Sequence, residues 1–78
     1  MVTVRCFAGV RETLGLSTCT YALEKPMSAQ AVLTAVAGER LSALSAPPLV
    51  AINMQHSRLE NLVCDGDEVA FFPPVSGG

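Results

Sequence analysis

Asp65-Gly66-Asp67-Glu68-Val69-Ala70-Phe71-Phe72-Pro73-Pro74-Val75-Ser76-Gly77-Gly78 is the stretch on which the reading of this chain turns. Asp65-Gly66 signals a tight turn, because glycine adopts positive φ freely and aspartate bonds back to nearby backbone. Val69 and Phe71 then alternate with Glu68, Ala70 and Phe72, the period of a strand with one buried face. Neighbouring strand residues point to opposite faces, so Phe71 and Phe72 cannot share one core; the alternation with Val69 assigns Phe72 outward. An outward aromatic is a candidate interface anchor, since aromatic side chains dominate binding hot spots. Pro73 and Pro74 lock their own φ and bias the residues before them toward extended backbone. Residues 73–78 are therefore predicted as an extended, flexible tail leaving a body of residues 1–72. At roughly 3.3 Å per residue such a tail reaches about 20 Å, far enough to enter a partner's active site. The Gly77-Gly78 pair at its tip suits a slot too narrow for side chains, with the carboxyl group of Gly78 as the chemically useful end.

Working outward, Val2, Val4 and Cys6 alternate with Thr3 and Arg5, predicting a first strand over residues 2–7 with Cys6 facing the core. Val10 and Leu14 lie four apart and Gly15 stands ready to end a short helix, which leaves Arg11 and Glu12 off the apolar line. Residues 18–24 alternate again, with Cys19, Tyr21 and Leu23 on one side, before the Lys25-Pro26 break. Ser28 is a good N-cap for a main helix in which Val32, Leu33 and Val36 form a stripe among alanines, ending near Gly38 or a turn later. Ser42 to Pro48 reads as a loop, Leu49 to Ile52 as a short strand, and the residues around Asn53 to Gln55 as a turn in which His56 also sits, among Gln55 and Ser57. Leu59 and Leu62-Val63 supply apolar anchors in a connecting segment. In an α+β chain this small, the order implies one mixed sheet covered on one face by the main helix. A β-grasp arrangement is predicted, with the first and last strands parallel at the centre and the C-terminus free to leave the body at a sheet edge.

Seventy-eight residues support one domain with one modest core. Half of the residues are hydrophobic and only 15% are charged, so charged cover is scarce and an exposed apolar face, fit for a protein interface, is expected. The net charge is −2, and Arg5, Arg11, Lys25, Arg40 and Arg58 are scattered along the chain. This pattern offers no footprint for nucleic acid or an anionic membrane surface. Cys6, Cys19 and Cys64 are odd in number and widely spaced, as expected of reduced thiols in the cytoplasm rather than a zinc site or a disulfide scaffold. No secretory leader is recognisable, because Arg5 interrupts the first apolar run.

No catalytic constellation emerges. His56 is the single histidine and lacks companion ligands at metal-binding spacing, so a solvated or interface role is expected of it. Asp65, Asp67 and Glu68 fit turn chemistry better than a calcium loop, which needs ligands spread over about twelve residues. There is no G-x-x-x-x-G-K-[ST] or G-x-G-x-x-G cradle, so any ATP consumed belongs to a partner.

The tail run from Asp65 to Gly78 resembles the C-terminal signature of the small subunits of molybdopterin synthase, a family of ubiquitin-like sulfur carriers. Phe7-Ala8 followed by Val10-Arg11-Glu12, and Ala51-Ile52-Asn53, resemble that family's first strand with its short helix and its central strand with its turn. The resemblance implies that an E1-like adenylyltransferase uses ATP and magnesium to adenylate Gly78, and that a sulfur donor enzyme then converts it to a thiocarboxylate. It implies that Gly77 helps thread the tail into the large synthase subunit. There the sulfur would attack cyclic pyranopterin monophosphate to build the molybdopterin dithiolene. The partner-binding residues it implies are Phe72, Pro73, Pro74, Val75, Ser76 and Arg11, in a heterotetramer of two small and two large subunits. The small subunit would bind no cofactor and would not be an enzyme on its own. A terminal diglycine is also found in carriers serving thiamine, cysteine or tRNA thiolation and in ubiquitin-like protein modifiers, and an interaction module with an inert tail is a further alternative.

Overall fold

The computed structural model describes residues 1–74. Its elements run β1 (Val2–Cys6), α1 (Ala8–Leu14), β2 (Thr18–Tyr21), β3 (Met27–Ser28), α2 (Ala29–Ala37), a 3-10 helix (Gly38–Ala43), β4 (Leu49–Ile52), β5 (Gln55–Ser57), β6 (Leu62–Val63) and β7 (Glu68–Phe72). Five strands form a mixed sheet in the order β2-β1-β7-β4-β5, and β3 pairs with β6 in a separate two-stranded ribbon. β1 and β7 are parallel and central, while the other pairings of the main sheet are antiparallel. This is the β-grasp arrangement expected above, with its strand order supplied by the pairing rather than by the alternation pattern.

Each element has a local cause. Gly15 takes φ 69° at the end of α1, and its N–H donates to the Arg11 carbonyl at 2.8 Å. A glycine tolerates that left-handed conformation without a Cβ penalty. Ser28 caps α2 as predicted, its Oγ accepting from the Ala31 N–H at 3.1 Å. Asn53 and Met54 have φ of 51° and 67°. Two consecutive positive-φ residues make the type I′ turn whose twist matches an antiparallel hairpin. Val2, Val4, Cys6, Val10, Leu14, Val32, Leu33, Val50, Val63, Val69 and Phe71 close into one core between the sheet and the helices.

Several expectations need correction. The second strand stops at Tyr21, and Leu23 packs against the core from the following segment. Ser42 and Ala43 belong to the 3-10 helix that continues α2, because Gly38 re-aims the backbone without stopping the chain from coiling. Gln55 and His56 are strand residues and not part of the turn: the turn needs only Asn53 and Met54, so the chain re-enters the sheet earlier than predicted. The chain leaves from the end of the central strand β7, not along a sheet edge, because β4 and β5 pair outside β7. Of the predicted tail, Pro73 and Pro74 are described; Val75, Ser76, Gly77 and Gly78 lie outside the described residues.

Candidate functional site

Strand alternation gives the sheet two faces. Val2, Val4, Cys6, Val50, Val69 and Phe71 turn toward the helices and are buried. Register places Thr3, Arg5, Glu68, Ala70, Phe72, Leu49, Ala51 and His56 on the opposite, open face. Phe72 is half-buried there, as the sequence predicts, and lies opposite Leu49 across the β4–β7 ladder. The His56 and Phe72 rings meet edge to face, with centroids 5.8 Å apart and planes at 71°. Such T-shaped contacts satisfy the ring quadrupoles and hold both side chains in place.

The parallel register pairs Cys6 with Phe71, so the next step along each strand sets Phe7 beside Phe72. Phe7 is 40% exposed and Leu49 42% exposed. With Phe72 they form an apolar patch at the exit of the last strand. Arg5 borders it, its guanidinium carbon 5.6 Å from the Phe7 ring centroid and Nη1 3.7 Å from the Glu68 carboxylate. Phe7 also occupies the N-cap position of α1 without offering a side-chain cap. A serine or aspartate would favour the helix there, so Phe7 gives up a capping hydrogen bond and sets a ring on the surface instead.

The other predicted site residues fall on different surfaces. Pro73 and Pro74 border a shallow groove on the helix side, facing Gly9 and Thr13 of α1 and Leu44 and Ala46 after the 3-10 helix. A Cβ at Gly9 would meet Pro73 Cγ at an ordinary contact distance of 3.9 Å, so the approach does not require a glycine there. Arg11 is exposed on α1, and among the described residues no ion pair or side-chain hydrogen bond ties it to Phe72 or its neighbours. Val75, Ser76, Gly77 and Gly78 lie outside the described residues. Phe7, Leu49 and His56 are members of the open face that the sequence reading did not assign to it, whereas the alternation of the first strand already sets Arg5 on the face opposite the core-facing Cys6. Continuing the Thr3, Arg5 alternation one step would have found Phe7, whereas Leu49 and His56 required the strand register.

Among the described residues, two titratable groups depart from their ordinary ranges. Burial, and secondarily the neighbouring Cys19 thiol, push the Cys6 thiol above its ordinary range. A protonated, buried thiol is a poor nucleophile. Asp67 is held below the usual carboxylate range by hydrogen bonds from the Asn53 side chain at 3.0 Å and the Cys64 N–H at 2.8 Å. Asp65 is engaged by the N-terminal ammonium of Met1. These carboxylates serve turns, as predicted from their spacing.

A β-grasp sheet with an open apolar face where its last strand leaves the body defines a small ubiquitin-like protein. The chain belongs to the ThiS family, which matches residues 4–78. It is 37% identical to the molybdopterin synthase sulfur carrier subunit of Escherichia coli, over all of both chains. Among solved structures, the small archaeal modifier protein SAMP1 of Haloferax volcanii superposes with a TM-score of 0.76 at 26% identity, covering 99% of this chain and 98% of that one. Subunits 1 and 2 of molybdopterin-converting factor from Helicobacter pylori, solved as a complex, match with a TM-score of 0.66 and 24% identity, covering 99% of this chain and 97% of the matched chain, a likeness of fold. No helix among the described residues is long and apolar enough to cross a membrane.

Proposed function

We propose that this chain is the sulfur-carrying small subunit of molybdopterin synthase. The observation that carries the reading is the full-length 37% identity with the Escherichia coli sulfur carrier subunit. The chemistry begins with activation. A carboxylate is a poor electrophile, so a partner E1-like adenylyltransferase uses ATP and magnesium to join AMP to the Gly78 carboxyl group, releasing pyrophosphate. Sulfur supplied at the sulfide level by a donor enzyme attacks the acyl carbon, breaks its bond to AMP, which leaves, and Gly78 then carries a thiocarboxylate. The thiocarboxylate sulfur attacks cyclic pyranopterin monophosphate in the large subunit. Water then cleaves the bond between the Gly78 carbonyl carbon and that sulfur, leaving the sulfur on the pterin and a carboxylate on Gly78. Two such deliveries build the dithiolene.

In this proposal residues 1–72 are the docking body and residues 73–78 the arm. Phe72, with Arg11, docks the large subunit, and Pro73, Pro74, Val75 and Ser76 direct the arm so that Gly77 and Gly78 enter its active site. Two small and two large subunits assemble in the cytoplasm. Incubating the protein with the activating enzyme, ATP, magnesium and a sulfur donor tests the reading. Intact mass is expected to rise by the replacement of one oxygen with sulfur, and only in the form that keeps Gly77-Gly78. No gain, with the activating enzyme shown competent on another carrier, would sink it.

The likeness to SAMP1 at 26% identity favours a second reading, in which Gly78 joins lysines of other proteins through isopeptide bonds. Protein adducts in cell extract that disappear on deletion of Gly77-Gly78 would support this reading, whether or not the mass gain is seen.

A further inference from the structure

We propose that His56 makes docking of the small subunit on the large subunit pH-sensitive, with the neutral imidazole as the docking form. The inference rests on the docking role given above to the face around Phe72. His56 sits on β5 opposite Ala51, and its ring abuts Phe72 edge-on at 5.8 Å. A partner surface that covers Phe72 and Leu49 therefore covers the imidazole as well.

The charges available to His56 are few. β4, which pairs with its strand, contributes Ala51 and Leu49 to this face; β7 beyond it contributes Phe72, Ala70 and Glu68. Glu68 is engaged by Arg5 of β1 at 3.7 Å. On the chain of His56 itself, Gln55 and Ser57 are uncharged, and Arg58 pairs with Glu60 at 3.8 Å. Among the described residues, no carboxylate forms an ion pair with His56 that would hold an imidazolium when the face is covered. The Phe72 ring, which His56 already touches edge to face before docking, offers a charged imidazole no counter-ion. Desolvation is incurred only on docking, and it falls on the charged form. An imidazole ordinarily changes charge between about pH 5 and 8, so docking is expected to weaken as pH falls through that range.

The test is the dissociation constant of the native small subunit and of His56→Leu with the large subunit from the same genome, measured from pH 8 to pH 5.5. A docking form restricted to the neutral imidazole predicts that the native protein loses affinity progressively relative to His56→Leu as the pH is lowered across this range, on the order of tenfold at its acid end. Parallel pH profiles for the two proteins, or tighter native binding at acid pH, would overturn the inference while leaving the docking reading intact. Absence of binding at every pH by both proteins would overturn the docking reading and the inference with it. Refolding is not at issue, because His56 is exposed and its removal leaves the core untouched.

Discussion

Asn53 and Glu68 are joined by reciprocal hydrogen bonds: the Asn53 N–H donates to the Glu68 carbonyl at 2.7 Å, and the Glu68 N–H donates to Asn53 Oδ1 at 2.9 Å. The Asn53 amide also donates to Asp67 Oδ1 at 3.0 Å. One side chain thereby ties the β4–β5 turn to the start of β7, the strand that leads to the tail. Asparagine suits this position twice over, since it tolerates φ 51° better than most residues and its amide both donates and accepts.

Replacing Asn53 with Ala removes two side-chain hydrogen bonds and places a Cβ residue with no local polar compensation at positive φ. The combined cost is about 2 kcal/mol. For a domain of this size that corresponds to a fall of roughly 10 °C in Tm. Thermal unfolding followed by circular dichroism measures it, and an unchanged Tm would show that the turn holds without the amide.

Asp67 gives the fold an acid limb. Its carboxyl pKa is lowered in the folded state by the Asn53 and Cys64 donors. A lowered folded value means the carboxylate stabilises the fold above the unfolded pKa, and that this contribution is lost as pH falls below about 4. Asp67→Asn is expected to flatten the decline of the urea midpoint between pH 5 and pH 2. An acid limb of the same steepness in the variant would assign it to other carboxylates.

Gly15 and Arg40 form a second joint. Arg40 Nη1 donates to the Leu14 carbonyl at 3.1 Å, closing the C-terminal end of α1 from the 3-10 helix. A Cβ on Gly15 would collide with that guanidinium. Gly15→Ala is therefore expected to cost about 2 kcal/mol through positive φ and loss of the Arg40 contact. In a Gly15→Ala, Arg40→Ala double variant the collision is gone and the shared contact is lost only once, so the double variant should cost less than the sum of the two single costs, as a double-mutant cycle in urea would read.

Phe71 and Phe72 separate stability from docking. Phe71 is fully buried in the core, whereas Phe72 is half-buried on the open face. Phe71→Ala is expected to cost about 3–5 kcal/mol of unfolding free energy. Phe72→Ala should cost much less stability yet weaken large-subunit binding by about 2 kcal/mol. Calorimetric titration of the folded Phe72→Ala protein decides this, and unchanged affinity would remove Phe72 from the docking face.

Features set by near neighbours in the chain were open to reading. The alternation of Val69 and Phe71 with Phe72, the Ser28 cap and the Gly15 stop depend on residues within a few positions, so they were found where predicted. The extent of β2 was overestimated because Leu23 continues the apolar alternation after the strand has lost its partner. The β3–β6 ribbon escaped notice for a related reason, since two residues are too few to show a period.

The membership of the open face was a different kind of question. Residue types in the last strand assigned Phe72 outward, and a terminal diglycine pointed to the tail as the chemical end; both are statements about one segment. That Leu49 lies opposite Phe72 and that His56 comes within 5.8 Å of its ring follows from pairing strands distant in sequence. Periodicity states which side of a strand is apolar but not which strand lies beside it, because backbone hydrogen bonds in a ladder are indifferent to sequence. Burial of Val50 against Phe71 and the type I′ turn at Asn53-Met54 select the register, and the register gathers the face.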